Sequence, residues 1–193
     1  MRRYAPIVSA LWLAACVQTV ELSHDIEPSR SIPDKSSERA GVVCSDELLR
    51  GVVRASHFAI ALGEPLCGGL MRSVEATYRA AQRATSPPYA GQYGRVVRFD
   101  LESSTLEIQH RNDGAVRVTC SVSVIVERFG RDLKRVSSRA VAGNADVARR
   151  DAPEAVVVRE AVEAALQEVV DNASALLVAG IDGPRQHLSA SEP

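Results

Sequence analysis

Lysine and aromatic side chains are scarce in this chain. Only Lys35 and Lys134 are lysine, and aromatic residues make up 4% of the sequence. The 23 basic residues are therefore almost all arginine, and 24 acidic residues bring the formal charge to −1. With no basic excess, nothing draws in nucleic acid. The shortage of aromatics argues against a sugar-stacking platform. Beyond Tyr4 and Trp12 the rings are Phe58, Tyr78, Tyr89, Tyr93, Phe99 and Phe129, so Val, Ala and Leu must build the core. No Cys-x-x-Cys occurs, which argues against a zinc ribbon or a thioredoxin-type centre. Gly-x-Gly-x-x-Gly, the phosphate-binding P-loop and Gly-x-Ser-x-Gly are also missing. No cofactor or metal is expected.

What is present begins at the N-terminus. Met1, Arg2 and Arg3 form a short basic start, and Ile7 to Ala15 (IVSALWLAA) is apolar apart from Ser9. These are the n-region and h-region of a secretory signal. The run is about half the roughly 20 residues that a membrane-spanning helix needs. Leu13, Ala14, Ala15 and Cys16 follow in a row. This segment resembles the lipobox of bacterial lipoproteins. The small residues let an extended chain enter a peptidase, and the Cys16 thiol accepts the diacylglycerol. The resemblance implies a bacterial envelope protein cleaved after residue 15 and anchored through Cys16. Two or more acyl chains hold a protein stably on a bilayer. Val17, in place of Asp, follows the cysteine and leans the destination toward the outer membrane.

Loss of residues 1–15 removes Arg2 and Arg3 and no acid, so the formal charge moves to about −3. Three cysteines remain besides Cys16, in an oxidising compartment. Cys120 lies in a strand pattern between Val118 and Val122 and reads as a buried apolar residue. That leaves Cys44 and Cys67 as the expected disulfide, contributing roughly 3 kcal/mol in the chain-entropy model.

Residues 16–43 are mostly polar and carry Pro28 and Pro33, and are expected to be a flexible tether with a span near 30 Å. Residues 44–179 are expected to form the folded domain, and 180–193 a disordered tail. Residues 45–62 fit both a helical and a strand period. Gly51 and the Val pair favour a short helix or turn, then a strand over about 52–60. Residues 64–84 predict a helix, with Pro65 in its first turn and Leu66, Leu70, Val74, Tyr78 and Ala81 on one stripe. Three strands follow. In the first, over 95–109, the alternation slips at Ser103-Ser104 and suggests a bulge. Asn112-Asp113-Gly114 signals a tight turn. In the second, Val116 to Val126 alternate with polar residues, which predicts one buried and one wet face. The third is expected over about 133–142. Asp151 and Glu154 suggest a capping box for a long C-terminal helix. The expected fold class is α+β. It is a two-layer sandwich in which two helices pack on one face of an antiparallel three- to four-stranded sheet.

Catalytic residues are not expected. His24 and His187 fall in the tether and tail, and His57 reads as structural. Ser103, Ser104, His110 and Asp113 lie along one strand and its turn, a poor arrangement for a nucleophile set. Arg117, Thr119, Ser121, Ser123 and Glu127 form the polar strand face, either a solvated surface or a docking surface for an envelope partner. The order of lipobox, polar segment, helix, strands (VVRFDLESSTLEI and VRVTCSVSVIVERFGRDL) and capped helix resembles small envelope lipoproteins of the LptE-like and transport-auxiliary type. It implies a non-catalytic accessory subunit of an assembly or transport complex in the membrane. Two further readings are a module that binds lipid or another apolar ligand between helices and sheet, and a hydrolase whose site has no recognised motif.

Overall fold

The computed structural model describes residues 17–23, 26–29, 35–84, 88 and 90–179. The elements in chain order are β1 (Gln18–Thr19), β2 (Ser36–Cys44), α1 (Asp46–Leu49), β3 (Val52–Ala55), β4 (Phe58–Ala61), α2 (Gly63–Thr77), β5 (Tyr78–Arg83), β6 (Arg95–His110), β7 (Ala115–Phe129), β8 (Arg135–Arg150) and α3 (Glu154–Ala179). The class is α+β, as expected. The sheet differs from expectation. There are two sheets, one of five strands in the order β5-β2-β6-β7-β8 and one of three in the order β1-β4-β3. Neither is purely antiparallel, because β2 runs parallel to β5 and β6, and β1 parallel to β4.

The antiparallel part of the large sheet follows from alternation. Val118, Cys120, Val122, Val124 and Val126 of β7 are almost fully buried, while the residues between them face outward. In β6 the phase slip lies where the pattern put it, with a register shift between Leu101 and Ser103. Gly114 turns the β6–β7 hairpin at φ 79°.

The helices cover the buried face. Leu66, Leu70 and Val74 of α2 are fully buried. Tyr78 is buried too, but the helix stops at Thr77 and Tyr78 opens β5 at φ −112°, ψ 147°. The expected helix over 64–84 is thus a helix followed by a strand. The chain there has no Gly or Pro stop signal, and pairing with β2 (Ala40 opposite Ala81) decides it. In α3 the buried positions form a broad band from Val157 to Leu177. Asp151 does not cap this helix. It takes a left-handed turn conformation (φ 58°), and the Pro153 carbonyl is the first acceptor, from Val156 N–H at 2.9 Å.

The largest correction concerns the expected tether over 16–43. Residues 36–44 form β2, an interior strand of the large sheet, with Ala40 and Val42 buried. Residues 20–23 and 26–29 are not free either. Val20, Leu22 and Ile26 are buried in the core. Glu163, Gln167 and Asp171, one helical turn apart on α3, hold this segment. Glu163 Oε1 accepts from Ser23 N–H (2.7 Å), and Asp171 accepts from Ser29 N–H (2.7 Å) and Ser29 Oγ (2.8 Å). Gln167 Nε2 donates to the Glu27 carbonyl (2.6 Å), and from α2 Arg72 Nε donates to the Ile26 carbonyl (2.9 Å). The polar segment is a strap over the helices. Side chains of α2 and α3 pair with its backbone groups, which would otherwise lack a protein partner.

Candidate functional site

Cys16 lies outside the described residues, as do residues 1–15 and the expected tail over 180–193. The neighbouring residues are placed. Val17 is exposed, and Gln18 N–H donates to the His57 carbonyl at 2.7 Å. Gln18 and Thr19 pair with Phe58 and Ala59 of β4. The chain is therefore bonded to the body two residues beyond Cys16. Among the described residues no helix is long and apolar enough to cross a membrane.

Cys44, at the end of β2, is disulfide-bonded to Cys67 in α2, with Cα atoms 6.1 Å apart. The bond ties the sheet to the helix layer. Cys120 is a free thiol, fully buried, and burial pushes its pKa up to about 11.

The polar face of β7 is cross-linked along its length. Arg117 Nε donates to Asp146 Oδ1 (2.8 Å), and a second guanidinium N–H reaches the other oxygen. This bidentate bond holds the Asp146 carboxyl below the usual carboxylate range. Ser121 Oγ meets the Asn144 amide oxygen at 2.7 Å, and Ser123 Oγ donates to Glu102 at 2.6 Å. Arg135 donates to Glu127 at 3.0 Å. Thr119 is exposed between them. Arg117, Thr119, Ser121, Ser123 and Glu127 thus share one outward face, and four of the five are bonded to side chains of the neighbouring strands.

Ser104 and His110 are six residues apart on β6, which separates them by about 20 Å. His110 faces Glu154 at 3.5 Å and is largely exposed. His57 is exposed and stacks on Phe58, with ring centroids 4.3 Å apart. Among the described residues no group of His, Cys, Asp and Glu could hold a metal ion.

A cavity of about 860 Å³ opens at the lower end of the large sheet. Its apolar lining includes Val43, Leu49, Val96, Phe129 and Leu133, with Asp46, Glu47, Arg83 and Arg98 at the margins. Val43, Val96 and Arg98 alternate with buried Val42, Val97 and Phe99, so this is the sheet face turned away from α2 and α3, with α1 at its edge. Gly41 lets Tyr93 lie flat against β2, since a Cβ there would stand 2.6 Å from the ring. Gly91 N–H donates to the Arg131 carbonyl at 2.8 Å and joins the segment before β6 to the β7–β8 turn. In that turn Leu133 is held at φ 59°, a strained value for a branched apolar residue. The sequence gives no hint of this cavity, because its walls come from four separate stretches of chain. Among the described residues, the space between helices and sheet, where the alternative reading put an apolar ligand, holds the packed side chains of the core.

No family model and no curated protein matches the chain. Among solved structures, it is similar to a Xanthomonas campestris protein of the family described as DUF330. That likeness has a TM-score of 0.54 at 14% identity and covers 85% of this chain and 96% of the other. Lipoproteins are among the more distant likenesses. The minor lipoprotein of Acinetobacter baumannii has a TM-score of 0.42 at 12% identity, covering 74% of this chain and 95% of that one. Rare lipoprotein B of Shewanella oneidensis has a TM-score of 0.39 at 12% identity, covering 74% and 92%. At these identities the Xanthomonas likeness speaks for the fold alone.

Proposed function

We propose that the chain is a lipid-anchored, non-catalytic accessory subunit of a cell-envelope assembly or transport complex, attached to the membrane through Cys16. One observation carries the anchor: the folded body takes hold of the chain at Gln18, two residues past the lipobox cysteine. The accessory role is supported by the polar ladder of β7, a rigid face whose side chains are fixed by neighbouring strands. Such a face suits protein docking better than chemistry. The reading keeps to the periplasmic side of the envelope and leans to the outer membrane because Val17 follows the cysteine.

The test is purification of the lipidated protein from membranes in mild detergent. The reading expects a stoichiometric envelope protein to accompany it, and expects Ser121→Arg with Thr119→Glu to release that protein. Recovery of a lone monomer under those conditions contradicts it.

A second reading has its own observation. The cavity is of ligand size and largely apolar, with a strained leucine in its wall. Binding of an apolar ligand there, outside the sheet, predicts extractable lipid in the purified protein. Leu133→Asp would abolish it.

A further inference from the structure

Three side chains among the described residues are both large, apolar and exposed: Val17, Val52 and Val136. Two of them belong to the small sheet or its immediate extension. Val52 and Arg54 of β3 alternate with buried Val53, and Ala59 and Ala61 of β4 alternate with buried Phe58 and Ile60. The register places Val52 beside Ala61, Arg54 beside Ala59, and Thr19 of β1 on the other side of Ala59. The result is a small outward face without acidic side chains: Val52, Arg54, Thr19 and two alanines, with Val17 at its edge. Arg54 has no ion-pair partner among the described residues.

The position of this face matters because of what adjoins it. Val17 is one peptide bond from Cys16, so their Cα atoms are about 3.8 Å apart. Residues 18–19 are fixed to the body by the β1 pairing, and Ser23, Ile26, Glu27 and Ser29 by the strap contacts, so the body holds the chain close behind the anchor. We propose that the outer face of the small sheet rests on the lipid bilayer itself and holds the body in one orientation at the membrane surface. This rests on the lipid anchor at Cys16. The face is too small to bind a membrane alone. With an acyl-bearing cysteine beside it, its effective concentration at the bilayer is high enough for weak contacts to count. Val17 and Val52 would meet the boundary of the acyl region, and Arg54 the phosphates of anionic headgroups. The polar ladder of β7 and the outer cavity then stand at fixed positions relative to the membrane.

The sequence supplies a clean reporter, since its one tryptophan, Trp12, lies in the leader. The lipidated, full-length mature protein carrying Val52→Trp would be reconstituted into vesicles of phosphatidylethanolamine and phosphatidylglycerol, with and without brominated acyl chains. Val136→Trp, on an exposed site separated from the small sheet by β6 and β7, is the control. Both positions are exposed, so the ring fits without repacking, and thermal melts check the fold. The expected result is a loss of about half the emission for Val52→Trp in brominated vesicles, a blue-shifted maximum, and no change for Val136→Trp. Adding Arg54→Glu should reduce the Val52→Trp quenching. If the protein floats with the vesicles but both reporters respond alike, the body tumbles on its anchor and the seating is overturned alone. If the protein does not float with the vesicles, the anchor and the seating both fall.

Discussion

Cys120 shows how one buried atom writes itself into stability. The thiol lies in the core beneath α3, and burial raises its pKa from near 9 to about 11. An unfolded chain ionises it near the lower value, while the fold keeps it protonated to the higher one. Between the two the native state holds the extra proton, so stability falls as pH rises, by about 2–3 kcal/mol across the window. Denaturant melts from pH 8 to 11 should show that slope, and Cys120→Ala should flatten it. Gly143 is a second decisive position. A Cβ there would collide with the Ala165 carbonyl and stand 2.7 Å from Val169 N, so α3 rests on bare β8 backbone. Gly143→Ala should cost about 1–3 kcal/mol by overpacking, read by urea denaturation. The Cys44–Cys67 bond closes a separation of 23 residues. Its reduction should cost about 3 kcal/mol and lower Tm by roughly 6–12 °C.

At the scale of elements, the strap makes the sharpest prediction. Ile26 is buried against α2, where Gly69 leaves room for its methyl group. A flexible tether would tolerate Ile26→Ala without effect. A packed strap should lose about 2–5 kcal/mol, and calorimetry separates the two. The elements that the sequence revealed are those that alternate with large apolar residues. β7 and the two helix stripes are of this kind, and so is β6 with its bulge. The elements it hid have physical reasons to look polar. β2 offers just Ala40, Val42 and the disulfide-bonded Cys44 to the core, and its first half is largely exposed. β5 continues the helical spacing of α2 and is recognisable only through its partner strand. β8 extends to Arg150, well past the expected end, because its inward residues Val141, Gly143 and Ala145 are small where α3 lies close. The disulfide was legible from compartment and elimination. The outer cavity was not, since no single segment builds it.

For the whole molecule, the strap changes what the anchor means. A polar segment after a lipobox reads as a long leash, with a body free to search far from the membrane. The structure instead bonds Ser23 and Ser29 of that segment to α3 and starts β-pairing at Gln18, so a body anchored at Cys16 would have little reach of its own. If the chain is the accessory subunit proposed above, a body held this way would present its faces at a fixed height, which suits a partner that is itself embedded in the membrane. All of this depends on acylation of Cys16. The most direct measurement is metabolic labelling with a palmitate analogue in a bacterial host, comparing the native chain with Cys16→Ala. The account predicts a labelled, membrane-bound native protein and an unlabelled variant that accumulates as uncleaved precursor. Equal labelling of the two, or a native protein processed and released without label, would contradict it.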